Sequence, residues 1–135
     1  MMLYRPVNQA ELDLIVNSNW REFPARLPEQ PIFYPVLNEE YAEQITRAWN
    51  VPAYGCGYVV KCELEDDFLK QYDVQTVGAE NHVELWIPAE DLPEMNKNII
   101  GEIEVISKFE AGDWHFIHLV EKRRRKSGGE VDRLR

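Results

Sequence analysis

The stretch HVELWIP, residues 82–88, decides how this chain is read. Its odd positions, Val83, Leu85 and Ile87, are apolar, and its even positions are His82, Glu84 and Trp86. A strand repeats its side-chain direction every second residue, so the first set enters a core and the second shares the opposite face. Pro88 removes a backbone donor and closes the strand. The even face has two readings. It is a solvent face with a partly covered tryptophan, or it is a site in which a carboxylate stands beside an aromatic wall. Such a carboxylate holds a sugar hydroxyl and stabilises positive charge developing on a neighbouring carbon.

Several neighbouring segments also read as short strands. Residues 74–77 precede a tight loop at 78–81, and residues 65–71 read as a turn or a single helical turn. The run GYVVKCEL, residues 57–64, puts Tyr58, Val60, Cys62 and Leu64 on one face and Lys61 and Glu63 on the other. Residues 99–109 and 114–120 form two apolar runs around Ala111-Gly112-Asp113, which reads as a hairpin. Residues 32–36 form a brief apolar strand, and residues 3–7 another that ends near Pro6.

Two amphipathic helices complete the pattern. Asn8 caps the first, with Glu11 as its capping-box partner and Leu12, Ile15 and Val16 at helical spacing over 9–19. Asn38 caps the second, whose first turn is acidic. Tyr41, Ala42, Ile45, Ala48 and Trp49 form its buried stripe, and Asn50 and Pro52 stop it. Between the helices, Pro24, Pro28 and Pro31 enforce an extended or looped path. The expected architecture is one α+β domain over residues 1–121, with two small packed sheets and two helices.

Composition bounds the function. The chain has 135 residues, 44% of them apolar and 29% charged, enough for one core without staples. No apolar run approaches the ~20 residues that cross a bilayer. The opening MMLYRPVNQAELDL lacks the basic flank and apolar stretch of a signal peptide, so the cytoplasm is the expected compartment. Cys56 and Cys62 would lie roughly 20 Å apart on one strand, beyond disulfide reach. They and the scattered histidines offer no metal site; His115 and His118, three apart in a strand, face opposite ways.

Residues 1–121 hold 8 Lys/Arg against 22 Asp/Glu, a balance of −14, whereas residues 122–135 carry +5. The tail KRRRKSGGEVDRLR reads as a solvated, disordered segment. The acidic body disfavours nucleic acid and suits a module that presents carboxylates to a basic partner.

Four motifs resemble the ADP-ribosyltransferase superfamily, and in particular short bacterial proteins labelled ADP-ribosylation/crystallin J1. LYRPV resembles that superfamily's first strand, whose Arg or His contacts the dinucleotide, here Arg5. IFYPVLNEEYAEQITRAW is similar to its strand–helix unit bearing an aromatic that stacks on nicotinamide, here Tyr34. HVELWIP is similar to the strand carrying the catalytic Glu, here Glu84, with His82 where Glu or Gln often selects the acceptor. IIGEIEVISKF is similar to the strand that follows it in the sheet.

The resemblance implies an ADP-ribosyltransferase-like fold, NAD as substrate, and transfer of ADP-ribose to an unspecified acceptor. Glu84 and His82 would act in catalysis, while Arg5, Tyr34 and Trp86 would hold NAD in one cleft. Taken singly, Arg5 reads equally as a surface arginine and Tyr34 as plain core. Departures from the superfamily pattern are Pro6 after Arg5 and the lack of a Ser-Thr-Ser element on the middle strand. The non-catalytic alternative is the acidic binding or inhibitor module.

Overall fold

The structure, a computed structural model, describes residues 1–111. The chain has a mixed α+β architecture built on small antiparallel sheets. Strand β1 (Met2–Val7) pairs with β3 (Cys56–Leu64), and β3 pairs on its other edge with β7 (Ile99–Glu110), giving the order β1-β3-β7. Strand β2 (Ile32–Phe33) pairs with β6 (Ile87–Pro88), and β4 (Val74–Thr76) with β5 (Val83–Leu85). The expected hairpin partner at 114–120 and the basic tail lie outside the described residues.

The central strand carries two cores. Tyr58, Val60, Cys62 and Leu64 are buried on one face with Leu3, Val7, Leu12, Ile15, Leu85, Ile87 and Met95. Val59 is buried on the other, with Val36 and Ala42, and Tyr4, Tyr41 and Ile45 pack around them. Alternation along β3 thus holds toward Leu64, where Lys61 and Glu63 escape full burial. It gives way to burial on both faces near Val59, where a helix covers the second side. Both thiols are free, and burial pushes the Cys62 thiol up to about 12, so it behaves as a small apolar side chain.

Strand β1 ends at Val7, as expected, and includes Pro6. Tyr4 spends its N–H and C=O on Val36, away from β3. Pro6 has the same parity, so its missing N–H would point past that bridge, where β1 has no ladder to serve.

Helix α1 (Gln9–Asn17) starts as expected, with the Glu11 backbone N–H donating to Asn8 Oδ1 at 2.8 Å. It stops two residues early because Asn19 and Trp20 both adopt left-handed φ of 64°. The Trp20 N–H still reaches back to the Ile15 carbonyl at 3.0 Å, satisfying a helix-end acceptor.

The second helix departs furthest from expectation. Helix α2 (Glu39–Ile45) runs into a π-helical turn, Thr46–Asn50, and then into α3 (Val51–Tyr54). Pro52 does not stop it. A proline inside an α-helix lacks its donor and collides with the carbonyl four residues earlier; widening the turn to i→i+5 spacing relieves both. Gly55, at φ 85°, ends the helix instead. The extra residue in the turn rotates the face, so Trp49 is 72% exposed rather than part of the buried stripe. Ala48 is also exposed, and Thr46 takes the buried position with its hydroxyl donating to the Ala42 carbonyl at 2.7 Å.

That turn sits directly on Gly57. A Cβ there would come within 2.7 Å of Thr46 Cγ2 and 2.8 Å of Asn50 Cβ. Gly57→Ala is therefore expected to destabilise the protein by about 2 kcal/mol through overpacking. Urea denaturation checks this: the midpoint should fall at unchanged slope, and an unmoved midpoint would mean that the turn is loosely seated.

Short elements close the other side of the first core: α4 (Asp66–Leu69), a 3₁₀ turn at Ala89–Asp91, and α5 (Leu92–Lys97). Leu92 and Met95 of α5 are buried there. Among the described residues no helix is long and apolar enough to cross a membrane.

Candidate functional site

The site is built where residues 32–36 lie antiparallel to residues 84–88. Ile32 opposes Pro88, Phe33 opposes Ile87, and Val36 opposes Glu84. The same register sets Tyr34 opposite Trp86 and Pro35 opposite Leu85. The Leu85 N–H donates to the Pro35 carbonyl at 2.9 Å, but Pro35 has no N–H to return. That missing bond accounts for two short strands, β5 and β6, where the sequence reads as one continuous strand.

Val36 also bridges Tyr4 of β1, with both backbone bonds at 2.8 Å. Directly opposed residues share a face, so Tyr4, Val36 and Glu84 point the same way, and His82, Trp86 and Tyr34 join them by parity. This is the face that α2 covers in part.

Glu84 is half-buried there, and both of its carboxylate oxygens are engaged. The indole N–H of Trp86 donates to Oε1 at 2.9 Å, and the Tyr41 hydroxyl makes a longer contact to Oε2 at 3.4 Å. His82 stacks on Tyr41 with ring centroids 4.3 Å apart and planes 8° apart, and its Nε2 lies 3.3 Å from Gln44 Oε1. Tyr34 meets Trp86 edge to face at 6.4 Å and 84°. Burial raises the Tyr41 phenol above its ordinary range, and the Glu84 charge and hydrogen bond add to that, so Tyr41 stays protonated as a donor. Each oxygen keeps a lone pair, since a carboxylate accepts about four hydrogen bonds.

Chemically, this is a charged acceptor pair fixed beside two exposed rings, with Tyr34 42% and Trp86 44% exposed. It can take two parallel N–H donors while a flat group lies against the aromatic edge. It can also stabilise positive charge that appears during bond cleavage.

Four of the five expected site residues, Glu84, His82, Trp86 and Tyr34, thus come together. Arg5 does not, and the expected three-way cleft is corrected on this point. Arg5 has the same parity as Leu3 and Val7, so it points into the opposite side of the sheet from Glu84. Its guanidinium is held in fork geometry by Glu11, Nε to Oε2 at 2.7 Å and Nη2 to Oε1 at 2.9 Å, and stands 4.4 Å over the Phe33 ring. The Arg5 and Glu11 side chains are only 11% and 16% exposed. A guanidinium so occupied is a structural group. Glu11 correspondingly gives its side chain to Arg5 rather than closing the capping box on Asn8.

Sequence reasoning missed Tyr41 as a partner of Glu84, because a tyrosine on the apolar stripe of a helix carries no mark of where its hydroxyl ends. Arg26 was missed as well. It stands 5.7 Å from the Phe33 centroid, on a proline-rich loop where nothing in the sequence marks one arginine. Compared with protein-family models, curated proteins and solved structures, the chain matches none.

Proposed function

We propose that the protein is an acidic binding module whose Glu84 face receives a planar cation, foremost the guanidinium of an arginine on a basic partner. The observation that carries this reading is the Glu84 carboxylate, fixed by Trp86 and Tyr41 beside the Tyr34–Trp86 edge. Guanidinium offers two parallel donors and a flat face, which match a carboxylate and an aromatic wall. The −14 balance of residues 1–121 adds long-range attraction for a basic partner. Titrating the protein with an arginine-bearing basic peptide by calorimetry tests this. Saturable binding that weakens with salt supports it, and the same peptide with citrulline in place of arginine should bind far less.

A second reading, ADP-ribosyl transfer from NAD, draws on one specific observation: Tyr34 and Glu84 share a face, and the nicotinamide ring of NAD is itself a planar cation. Glu84 would accept a hydrogen bond from the nicotinamide ribose while the glycosidic C–N bond breaks. Nicotinamide would leave with the electron pair, and the ribosyl cation would be stabilised until the acceptor, facing His82, attacks it. This reading no longer has Arg5 as a phosphate partner, since Glu11 occupies it. It expects nicotinamide release from NAD that Glu84→Gln abolishes without unfolding the protein. The absence of any thermal shift at millimolar NAD, alongside clear peptide binding, would leave the module reading alone.

A further inference from the structure

We propose that Arg26 is the centre of a separate oxyanion site, for a carboxylate or phosphate group, independent of what binds at Glu84. The guanidiniums of Arg5 and Arg26 stand at the same Phe33 ring, 4.4 Å and 5.7 Å from its centroid. Among the described residues one carboxylate, Glu11, serves the pair, and both of its oxygens are committed to Arg5 at 2.7 and 2.9 Å. Arg26 is left with a single hydrogen bond, Nη2 to the Ile32 carbonyl at 3.2 Å, and its Nε is buried with no acceptor among the described residues. A buried donor without a partner is uncommon and costly, and a cationic one more so.

Burial lowers the affinity of Arg26 for its proton, and the Arg5 charge lowers it further, with Glu11 and Tyr34 only partly opposing. Arginine nevertheless stays charged. At the Phe33 ring the described residues therefore set two guanidiniums against one carboxylate, which favours an added anion.

There is room to receive it. Arg26 lines a cavity of about 570 Å³ between its own loop and α5, where Phe23, Asn96 and Lys97 also contribute. Glu22 and Glu90 line it too, but both are exposed to solvent, which screens them. The fork of a guanidinium, Nε with one Nη, fits two oxygens of a carboxylate or a phosphate equally well. Nε itself is closed off from solvent, so either anion meets the guanidinium at its Nη edge and engages Nε only as the side chain turns toward the cavity.

Side-chain ¹⁵N spectra of the arginine Nε–H groups, recorded while sodium phosphate or sodium acetate is added at constant ionic strength, test this directly. The Arg26 Nε–H is expected to move saturably with one of the two anions, while that of Arg5 moves little. The anion that produces the shift identifies the source. In parallel, the melting temperature should rise with that anion in the parent and not in Arg26→Gln, and calorimetric affinity should fall roughly tenfold or more. Arg26→Lys, which keeps charge without the fork, should recover only part of it. An Arg26 Nε–H unmoved by both anions, or an equal rise in melting temperature in parent and Arg26→Gln, would overturn the site.

Discussion

Glu84→Gln is expected to lower affinity for the arginine-bearing peptide by roughly thirtyfold, about 2 kcal/mol, with little change in fold stability. Glutamine keeps the shape but loses the charge, and it presents an NH₂ where the carboxylate presents a second acceptor. One of Trp86 Nε1 and Tyr41 Oη then faces a donor instead of an oxygen, and the incoming guanidinium loses one of its two acceptors. The fold should persist because Glu84 is half-buried and its strand is anchored by Leu85 and Ile87 in the first core. Calorimetry on parent and variant measures the difference. An affinity within a factor of two of the parent would remove Glu84 from recognition.

The largest stability effect is expected at Glu11. Glu11→Ala leaves the Arg5 guanidinium, 11% exposed, without its carboxylate on the core side of the sheet. Breaking such a pair from one side costs about 3 kcal/mol, most of it the stranded charge. Removing both partners together, Arg5→Met with Glu11→Leu, should restore most of that stability, because an apolar pair of similar volume suits the neighbourhood of Leu3, Val7 and Phe33. Urea midpoints of the parent, the single variant and the double variant close the cycle. A loss below about 0.5 kcal/mol in Glu11→Ala would mean an exposed-type ion pair, and would return Arg5 to the residues free to meet a ligand.

The part of this molecule legible in its sequence was the part governed by parity. Alternation in residues 82–88 placed Leu85 and Ile87 in the core and grouped His82, Glu84 and Trp86 on the other face, as the structure has them. The same rule puts Arg5, between Leu3 and Val7, on the core side, against the dinucleotide contact that the resemblance of LYRPV implies. Parity carries no information about where the ladder loses a bond, which is why Pro35 splits two strands that read as continuous.

Nor does helical spacing foretell a π turn. One inserted residue before Pro52 moves Trp49 from the expected stripe to the surface and puts Thr46 over Gly57. The contacts that define the site, Tyr41 to Glu84 and Glu11 to Arg5, join residues whose side chains could each have reached several partners. Only the packing of α2 and α1 on opposite sheet faces selects among them.

On the function proposed above, a planar cation docks at the Trp86-held carboxylate of Glu84. The indole N–H resonance of Trp86, followed by ¹⁵N–¹H correlation spectroscopy during titration with the arginine-bearing peptide, reports on it most directly, because that proton is donated to Glu84 Oε1 at 2.9 Å. A saturable shift of the Trp86 signal is expected, with the exposed Trp49 signal unmoved and the response lost in Glu84→Gln. Peptide binding that leaves the Trp86 signal in place, or shifts it equally in Glu84→Gln, would rule out docking at Glu84.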